Sequence, residues 1–304
     1  MTDAEPASPP WIQLTFEAGV HSVEALEDAL EASGAVAVTL EDAADDPVLE
    51  PAPGETPLWK QTRVTGLYDG RTMDLAEVKQ VMRRALAAPH LPPYQASPLE
   101  QRDWVRAWMD YYHPMRFGEG LWVCPSHLAP PDPCATTVMM DPGLAFGTGT
   151  HATTALCLEW LSAQGVTGWS VVDYGCGSGI LAIAALLLGA RHALALDIDP
   201  QALMSTRTNA KRNGVLEKVQ VSFPDDIAPY PSDLVMANIL AGPLVALRDR
   251  LSARVRPGGK LIMSGLLSRH ADEIEQTYRG IFDFGPRLER DDWILLDGTR
   301  RALV

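Results

Sequence analysis

The sequence predicts an α/β chain in which a seven-stranded, mostly parallel sheet closed by an antiparallel hairpin follows a small α+β domain. Three observations carry this. The apolar run Val171-Val-Asp-Tyr breaks into Gly175-Cys-Gly-Ser-Gly179 and resumes as the helical Ile180-Leu-Ala-Ile-Ala-Ala-Leu-Leu-Leu-Gly189. That reads as a buried strand, a tight turn and a helix start. A second apolar run ends in Asp197, so its carboxylate falls at the carboxyl end of the neighbouring strand. Ahead of both, residues 11–100 switch period repeatedly, in the order β-α-β-β-α-β.

Gly175 and Gly177 let the backbone turn sharply and approach a ligand closely. Asp197 is placed to accept both hydroxyls of a ribose. Two nucleoside cofactors suit this skeleton. A dinucleotide site wants G-x-G-x-x-G, but here the third glycine, Gly179, comes one residue early and the later position is Ile180. There is then no pyrophosphate to cradle. A tight loop beside a ribose-binding acid resembles the adenosylmethionine site of the Rossmann-like class I methyltransferases. The plain alternative is a glycine-rich βα turn in a ligand-free sheet.

Composition narrows the class. The 304 residues suffice for one large domain or two ordinary ones. No stretch reaches the roughly 18 apolar residues of a membrane span. Residues 1–10 are acidic and Pro-rich, lack the basic and apolar regions of a signal peptide, and read as a short mobile tail. Cys124, Cys134, Cys157 and Cys176 form no C-x-x-C pair and no metal spacing, which suits reduced thiols in a cytoplasm and no metal site. Cys176, inside the turn, reads as a small packing residue. The net charge of −14 argues against tight binding to exposed nucleic-acid backbone. It suits a basic protein partner, because complementary fields speed encounter, though solubility alone is the bland account.

In the first domain, residues 11–100, Trp11-Ile-Gln-Leu-Thr-Phe16 alternates as a strand. Ser22 is placed to cap a helix whose stripe is Val23, Leu26, Ala29 and Leu30. Ala35 to Leu40 is a second strand, Glu41 to Pro57 an acidic, Pro-rich loop, and Trp59 to Tyr68 a third strand. Asp74 caps a second helix with the stripe Val78, Val81, Met82 and Leu86. An extended piece from Tyr94 to Leu99 completes a ferredoxin-like split arrangement. It holds no catalytic cluster, and substrate docking is the favoured role over purely structural packing.

Residues 101–125 form a connection. Trp104, Trp108 and Tyr111 recur at helical spacing, His113-Pro114 ends the helix, and Leu121 to Cys124 is a short strand. The second domain, residues 126–304, opens with a strand from Thr136 to Met140. The loop Phe146-Gly-Thr-Gly-Thr-His151 then leads into a helix through Leu156, Leu158 and Leu161, with Thr153 and Thr154 at its capping end. This loop should close over the methionine end of a cofactor, its glycines acting as hinges of a lid that excludes water. Further helices are read at 201–213, 244–255 and 268–278, and strands at 219–222, 233–238 and 260–264, the last after the turn Pro257-Gly258-Gly259. Asp226 follows the 219–222 strand, where a group near the adenine amine is expected. Asn238 ends the 233–238 strand beside the first strand, at the topological switch point. Extended pieces 283–288 and 293–296 flank Asp291-Asp292 as the terminal hairpin.

These motifs together resemble one family. Asp141-Pro-Gly-x-Ala-Phe-Gly-Thr-Gly-x-His-x-Thr-Thr154, Asp173-x-Gly-Cys-Gly-Ser-Gly-Ile-Leu181, Asp197-Ile-Asp-Pro200 and Ala237-Asn-Ile-Leu-Ala241 are similar to those of the PrmA family of ribosomal protein methyltransferases. The resemblance is dense from about Trp104 onward and looser before it. It implies methyl transfer from S-adenosylmethionine, with S-adenosylhomocysteine as product. The acceptors would be lysine side-chain amines and the N-terminal α-amine of a basic large-subunit ribosomal protein, gripped by the first domain. It implies cofactor contacts at Thr154, Gly175, Asp197 and Asn238. Phe146, Gly147, Thr148, Asp173, Gly177, Ile198 and Asp226 complete the expected cofactor set. Asn238 is the expected amine-orienting residue, and His151 the one side chain that could serve as base, though loop positioning is the favoured reading. Ala152 stands where many relatives carry proline, which should loosen the loop slightly. A monomer without membrane or direct nucleic-acid contacts is the simplest assembly. Two other readings stay open: an enzyme of this fold acting on another protein lysine or glutamine or a small amine, and a nicotinamide dehydrogenase or non-catalytic nucleotide-binding module.

Overall fold

A computed structural model describes residues 11–19, 22–44, 58–99, 112–141, 147 and 149–302, in two compact units divided between Ala107 and Trp108. The expected tail 1–10, most of the acidic loop (45–57), and Trp104, Trp108 and Tyr111 lie outside the described residues.

In the first unit, β1 (Trp11–Gly19), α1 (Val23–Ala32), β2 (Ala37–Asp42), β3 (Gln61–Asp69), α2 (Leu75–Ala85) and β4 (Tyr94–Pro98) follow one another. The sheet order is β2-β3-β1-β4, every neighbouring pair antiparallel. Alternation along β1 sends Leu14 and Phe16 to one face, where they join Val23, Leu26, Ala29 and Leu30 of α1 and Val78 and Met82 of α2 in one core. Asp74 caps α2, its Oδ1 accepting from the Ala76 N–H at 2.8 Å. Ser22 corrects the expectation for α1. It holds the N-cap position with helical dihedrals (φ −114°, ψ −3°), so its hydroxyl donates back to the Gly19 carbonyl instead of capping the helix. β2 takes in Glu41 and Asp42, read as loop, because its pairing with β3 runs on to Asp42 opposite Thr62.

The second unit begins with β5 (Met115–Phe117), β6 (Leu121–Cys124) and β7 (Thr136–Met139), with β6 antiparallel to β5 and parallel to β7. Residues 115–124 therefore pair inside this unit rather than bridging to it. Next come α3 (Ala152–Gln164), β8 (Ser170–Tyr174), α4 (Ile180–Leu187), β9 (His192–Leu196), α5 (Pro200–Arg212), β10 (Val219–Ser222) and β11 (Ser232–Asn238). The expected single helix from Leu244 to Val255 is two, α6 (Ala241–Ala246) and α7 (Arg248–Ala253), broken at Leu247 (ψ 5°). Val255 already belongs to β12 (Val255–Leu267). The Pro257-Gly258-Gly259 turn is absorbed into β12 as an irregularity between the pairs Ser232–Val255 and Leu234–Lys260. A short 3₁₀ turn precedes α8 (Ala271–Tyr278), and β13 (Phe282–Phe284), β14 (Leu288–Arg290) and β15 (Trp293–Arg300) end the chain.

The large sheet runs β10-β9-β8-β11-β12-β15-β13, with β14 also on β15. Pairing is parallel from β10 to β12, and β15 is antiparallel to β12. Among the described residues the sheet path has seven strands, and an eighth arises because the outer edge of β15 is shared: β13 pairs with Gly298–Arg300 and β14 with Trp293–Leu295. The expected hairpin is β14–β15, turning at Asp291 (φ 53°). β8 is buried along its whole length, and its neighbours β9 and β11 nearly so, as the unbroken apolar runs require. The order reverses between β8 and β11, which opens a crevice at their carboxyl ends.

Candidate active site

That crevice holds a cavity of about 560 Å³. Its walls include Gly147, His151, Thr154, Asp173, Gly175, Gly177, Asp197, Ile198 and Asn238, nine of the expected site residues. Phe146 and Thr148 lie outside the described residues. Asp226 is exposed and off the cavity wall, because the chain turns after β10 with the Asp226 N–H bonded to the Phe223 carbonyl. Pro224 reaches the wall in its place, and Asp225 pairs with Arg250 at 2.7 Å.

The glycine turn is pinned from both sides. The N–H groups of Gly175 and Cys176 donate to the Leu196 carbonyl at 2.7 and 3.0 Å. Gly179 sits in the left-handed region (φ 80°), and a Cβ there would meet the Thr206 methyl at 2.7 Å. Asp197 splits its oxygens: Oδ2 accepts from the Gly177 N–H at 2.9 Å, and Oδ1 from the Asp199 N–H at 3.0 Å. The acid therefore holds the turn as well as facing the cavity. Ile198 beside it is 84% exposed, an apolar side chain at the rim that a flat apolar ligand would cover.

Asp173 is 1% exposed. Its Oδ2 accepts from the Ala182 N–H at 3.0 Å, which satisfies one of the free donors that open α4, whose own N-cap is side-chain-less Gly179. Burial pushes this carboxyl up to about 7, with Asp197 nearby adding to the rise.

The opposite wall is built by α3 and β11. His151, not a threonine, caps α3: its Nδ1 accepts from the Thr153 N–H at 3.3 Å and meets Thr153 Oγ1 at 2.8 Å. Its ring packs edge-on against Trp293, centroids 4.9 Å apart. Burial holds the imidazole below its ordinary value. With Nδ1 used as acceptor, the ring proton sits on Nε2, which fits positioning better than proton abstraction. Thr154 Oγ1 is free of capping duty and accepts from Asn238 Nδ2 at 3.3 Å. That contact aims the Asn238 carboxamide and leaves Oδ1 buried with no hydrogen-bond partner. A buried acceptor of this kind costs about 1–3 kcal/mol unless something donates to it.

Wall residues outside the expected set include Trp293, Leu240, Pro243, Leu247 and Gly265. Only Gly265 left a signal, a glycine closing an apolar strand. A Cβ there would lie 2.5 Å from the Ile239 carbonyl oxygen, so only glycine lets β12 pass the chain that follows Asn238.

A parallel sheet of this order, with an acid after its second strand and an amide after its fourth, defines the Rossmann-like class I methyltransferases. The comparisons narrow this. A family model described as Ribosomal protein L11 methyltransferase (PrmA) matches residues 10–301, and the chain belongs to that family. The protein named Ribosomal protein L11 methyltransferase in Sodalis glossinidius is 51% identical over 296 residues, covering 96% of this chain and 100% of that protein. Its namesake in Nitrosococcus oceani is 49% identical over 292 residues, with the same coverage. A crystal structure of ribosomal protein L11 methylase from Lactobacillus delbrueckii subsp. bulgaricus is 33% identical, with a TM-score of 0.57, covering 63% of this chain and 100% of that one. Among the described residues, no helix is long and apolar enough to cross a membrane.

Proposed function

We propose that this enzyme transfers methyl groups from S-adenosylmethionine to lysine side-chain amines and the N-terminal α-amine of ribosomal protein L11. The observation that carries the reading is Asn238 Oδ1, a buried acceptor without a partner on the wall of a nucleoside-sized cavity. The residues present fit the cofactor. Asp197 suits the ribose hydroxyls, Ile198 the adenine face, and the bare backbone at Gly175 and Gly177 a close approach by the rest. When bound, the cofactor supplies an electrophilic methyl group on a sulfonium sulfur.

The chain's own residues do the remainder. The acceptor must arrive as a neutral amine, and a free lysine holds its proton up to about 10.4. The apolar wall of Ile239, Leu240, Pro243 and Leu247 disfavours the charged form by desolvation. Asn238 Oδ1 accepts an amine N–H and thereby aims the lone pair, while Thr154 fixes the carboxamide. No dedicated base is assigned, and His151 serves to cap α3. We further assign residues 11–100 to substrate recognition and residues 126–304, together with the strands at 115–124 that pair with them, to catalysis, in a monomeric cytoplasmic enzyme that does not bind nucleic acid directly. Incubating the enzyme with labelled cofactor and purified L11, then mapping label by mass spectrometry, tests the scheme. Label on lysine and N-terminal amines is the expected result. Label confined to other residue types, or none, overturns it.

A further inference from the structure

The helix that follows Asp199 carries more than its cap. One stripe of α5 bears Thr206, Asn209 and Arg212, with Asn213 just beyond it, and each is committed to backbone or charge near the site. Thr206, fully buried, donates from Oγ1 to the Gly177 carbonyl at 3.0 Å. Asn209, 6% exposed, donates from Nδ2 to the Ser178 carbonyl at 2.9 Å. Its Oδ1 accepts from Arg212 Nη1 at 3.1 Å, and Arg212 Nη2 lies 3.2 Å from Asp141 Oδ2. Asp141 is anchored in turn by the N–H and hydroxyl of Ser126 at 2.7 and 2.6 Å. Asn213 fixes the preceding strand residue, its Oδ1 accepting from the Met139 N–H at 2.7 Å and its Nδ2 donating to the Met139 carbonyl at 2.9 Å. At the other end, the Ser178 hydroxyl donates to the Gly147 carbonyl, and Gly147 is on the cavity wall.

These bonds form a continuous path: Asp141, Arg212, Asn209, Ser178, Gly147. Neither Asn209 nor Arg212 lines the cavity. Yet the path joins Asp141, just past the carboxyl end of β7, to the glycine turn. We propose that Arg212 and Asn209 are positioning residues that set cofactor affinity by locking Asp141 and the glycine turn into one geometry. The proposal rests on the glycine turn being the cofactor cradle. Asparagine and arginine suit the task because a guanidinium presents parallel donors to two acceptors at once, here a carboxamide oxygen and a carboxylate. Lysine at 212 keeps the charge but loses the rigid fork that holds both acceptors at fixed positions.

The test uses the full chain and three variants: Arg212→Met, Arg212→Lys and Asp141→Asn, with the double variant of the first and third. Calorimetry gives the Kd for S-adenosylhomocysteine, and initial rates with purified L11 separate the KM values for cofactor and protein. The expected result is a Kd raised about tenfold (1.4 kcal/mol) in Arg212→Met, with the cofactor KM following and the L11 KM unmoved. Arg212→Lys should fall between it and the wild type. Asp141→Asn should weaken binding similarly, and the double variant should be no worse than Arg212→Met alone. Cofactor Kd within twofold of wild type in Arg212→Met, or additive losses in the double variant, overturns the relay. If Arg212→Met does not fold, Arg212→Lys and Asp141→Asn carry the same comparison. A wild-type chain that binds no S-adenosylhomocysteine sinks the methyltransferase reading itself. A wild type that binds, with indifferent variants, sinks the relay alone.

Discussion

Asn238 is made useful by a neighbour that gave up an ordinary task. Because His151 caps α3, Thr154 can accept from Asn238 Nδ2, and the carboxamide oxygen of this wall residue is buried without a donor. Replacing Asn238 with alanine should lower kcat about a hundredfold, the scale of losing orientation at a reacting centre. Turnover that stays at the wild-type rate with normal cofactor binding would remove Asn238 from the mechanism. Asp173 makes a prediction in pH. Its folded value is about 7 against an ordinary 3.8, so the folded state keeps a proton that the unfolded chain releases. The stability this contributes is complete below about 4 and is lost as pH rises through about 7. Asp173→Asn keeps an acceptor for the Ala182 N–H without the titration. Urea midpoints of wild type and Asp173→Asn should therefore diverge between pH 4 and pH 8, the wild type losing ground. Parallel pH curves would show that Asp173 is not the group responsible.

Among the elements, α3 offers the sharpest test. His151 enters it with φ −75° and ψ 139°, the extended conformation that a following proline imposes, and Ala152 is the first helical residue, where a missing N–H costs nothing. Ala152→Pro should stabilise the chain by about 0.4–1 kcal/mol, mainly by restricting the unfolded state, and raise the thermal midpoint. A lowered midpoint would mean that the Ala152 N–H or its dihedral matters in a way the cap geometry hides. The elements also show what a sequence makes legible. β8, its glycine turn and Asp197 were readable because apolar runs, glycines and a strand-end acid are local signals. Asn238 was readable because parallel strands deliver their carboxyl ends to one crevice. The capping role of His151 was not, since histidine is a rare cap and two threonines stood next to it. Leu240 and Trp293 were not readable either, because their place on the wall depends on how α6 and β15 pack against distant strands. Asp226 is exposed and Pro224 takes the wall, a detail of the turn after β10 that no local pattern fixes.

Over the whole molecule, charge is unevenly spread. Residues 1–107 hold 18 of the 39 acidic side chains and 8 of the 25 basic ones, and so −10 of the net −14. On α1, Glu24, Asp28 and Glu31 are all exposed, and the helix has no basic residue. If the first unit meets a basic ribosomal protein, part of the encounter rate comes from this field and is screened by salt. The KM for L11 should then rise on the order of tenfold between about 0.05 and 0.5 M salt, while the cofactor KM, set inside the second unit, changes far less. The triple variant E24K/D28K/E31K should raise the L11 KM at low salt and flatten its salt dependence, leaving kcat at saturating L11 unchanged. These side chains are exposed and make no core contact, so the fold should be preserved, which a thermal melt checks directly. An L11 KM that ignores both salt and charge reversal would mean that recognition runs through apolar surface, and that the acidity serves solubility.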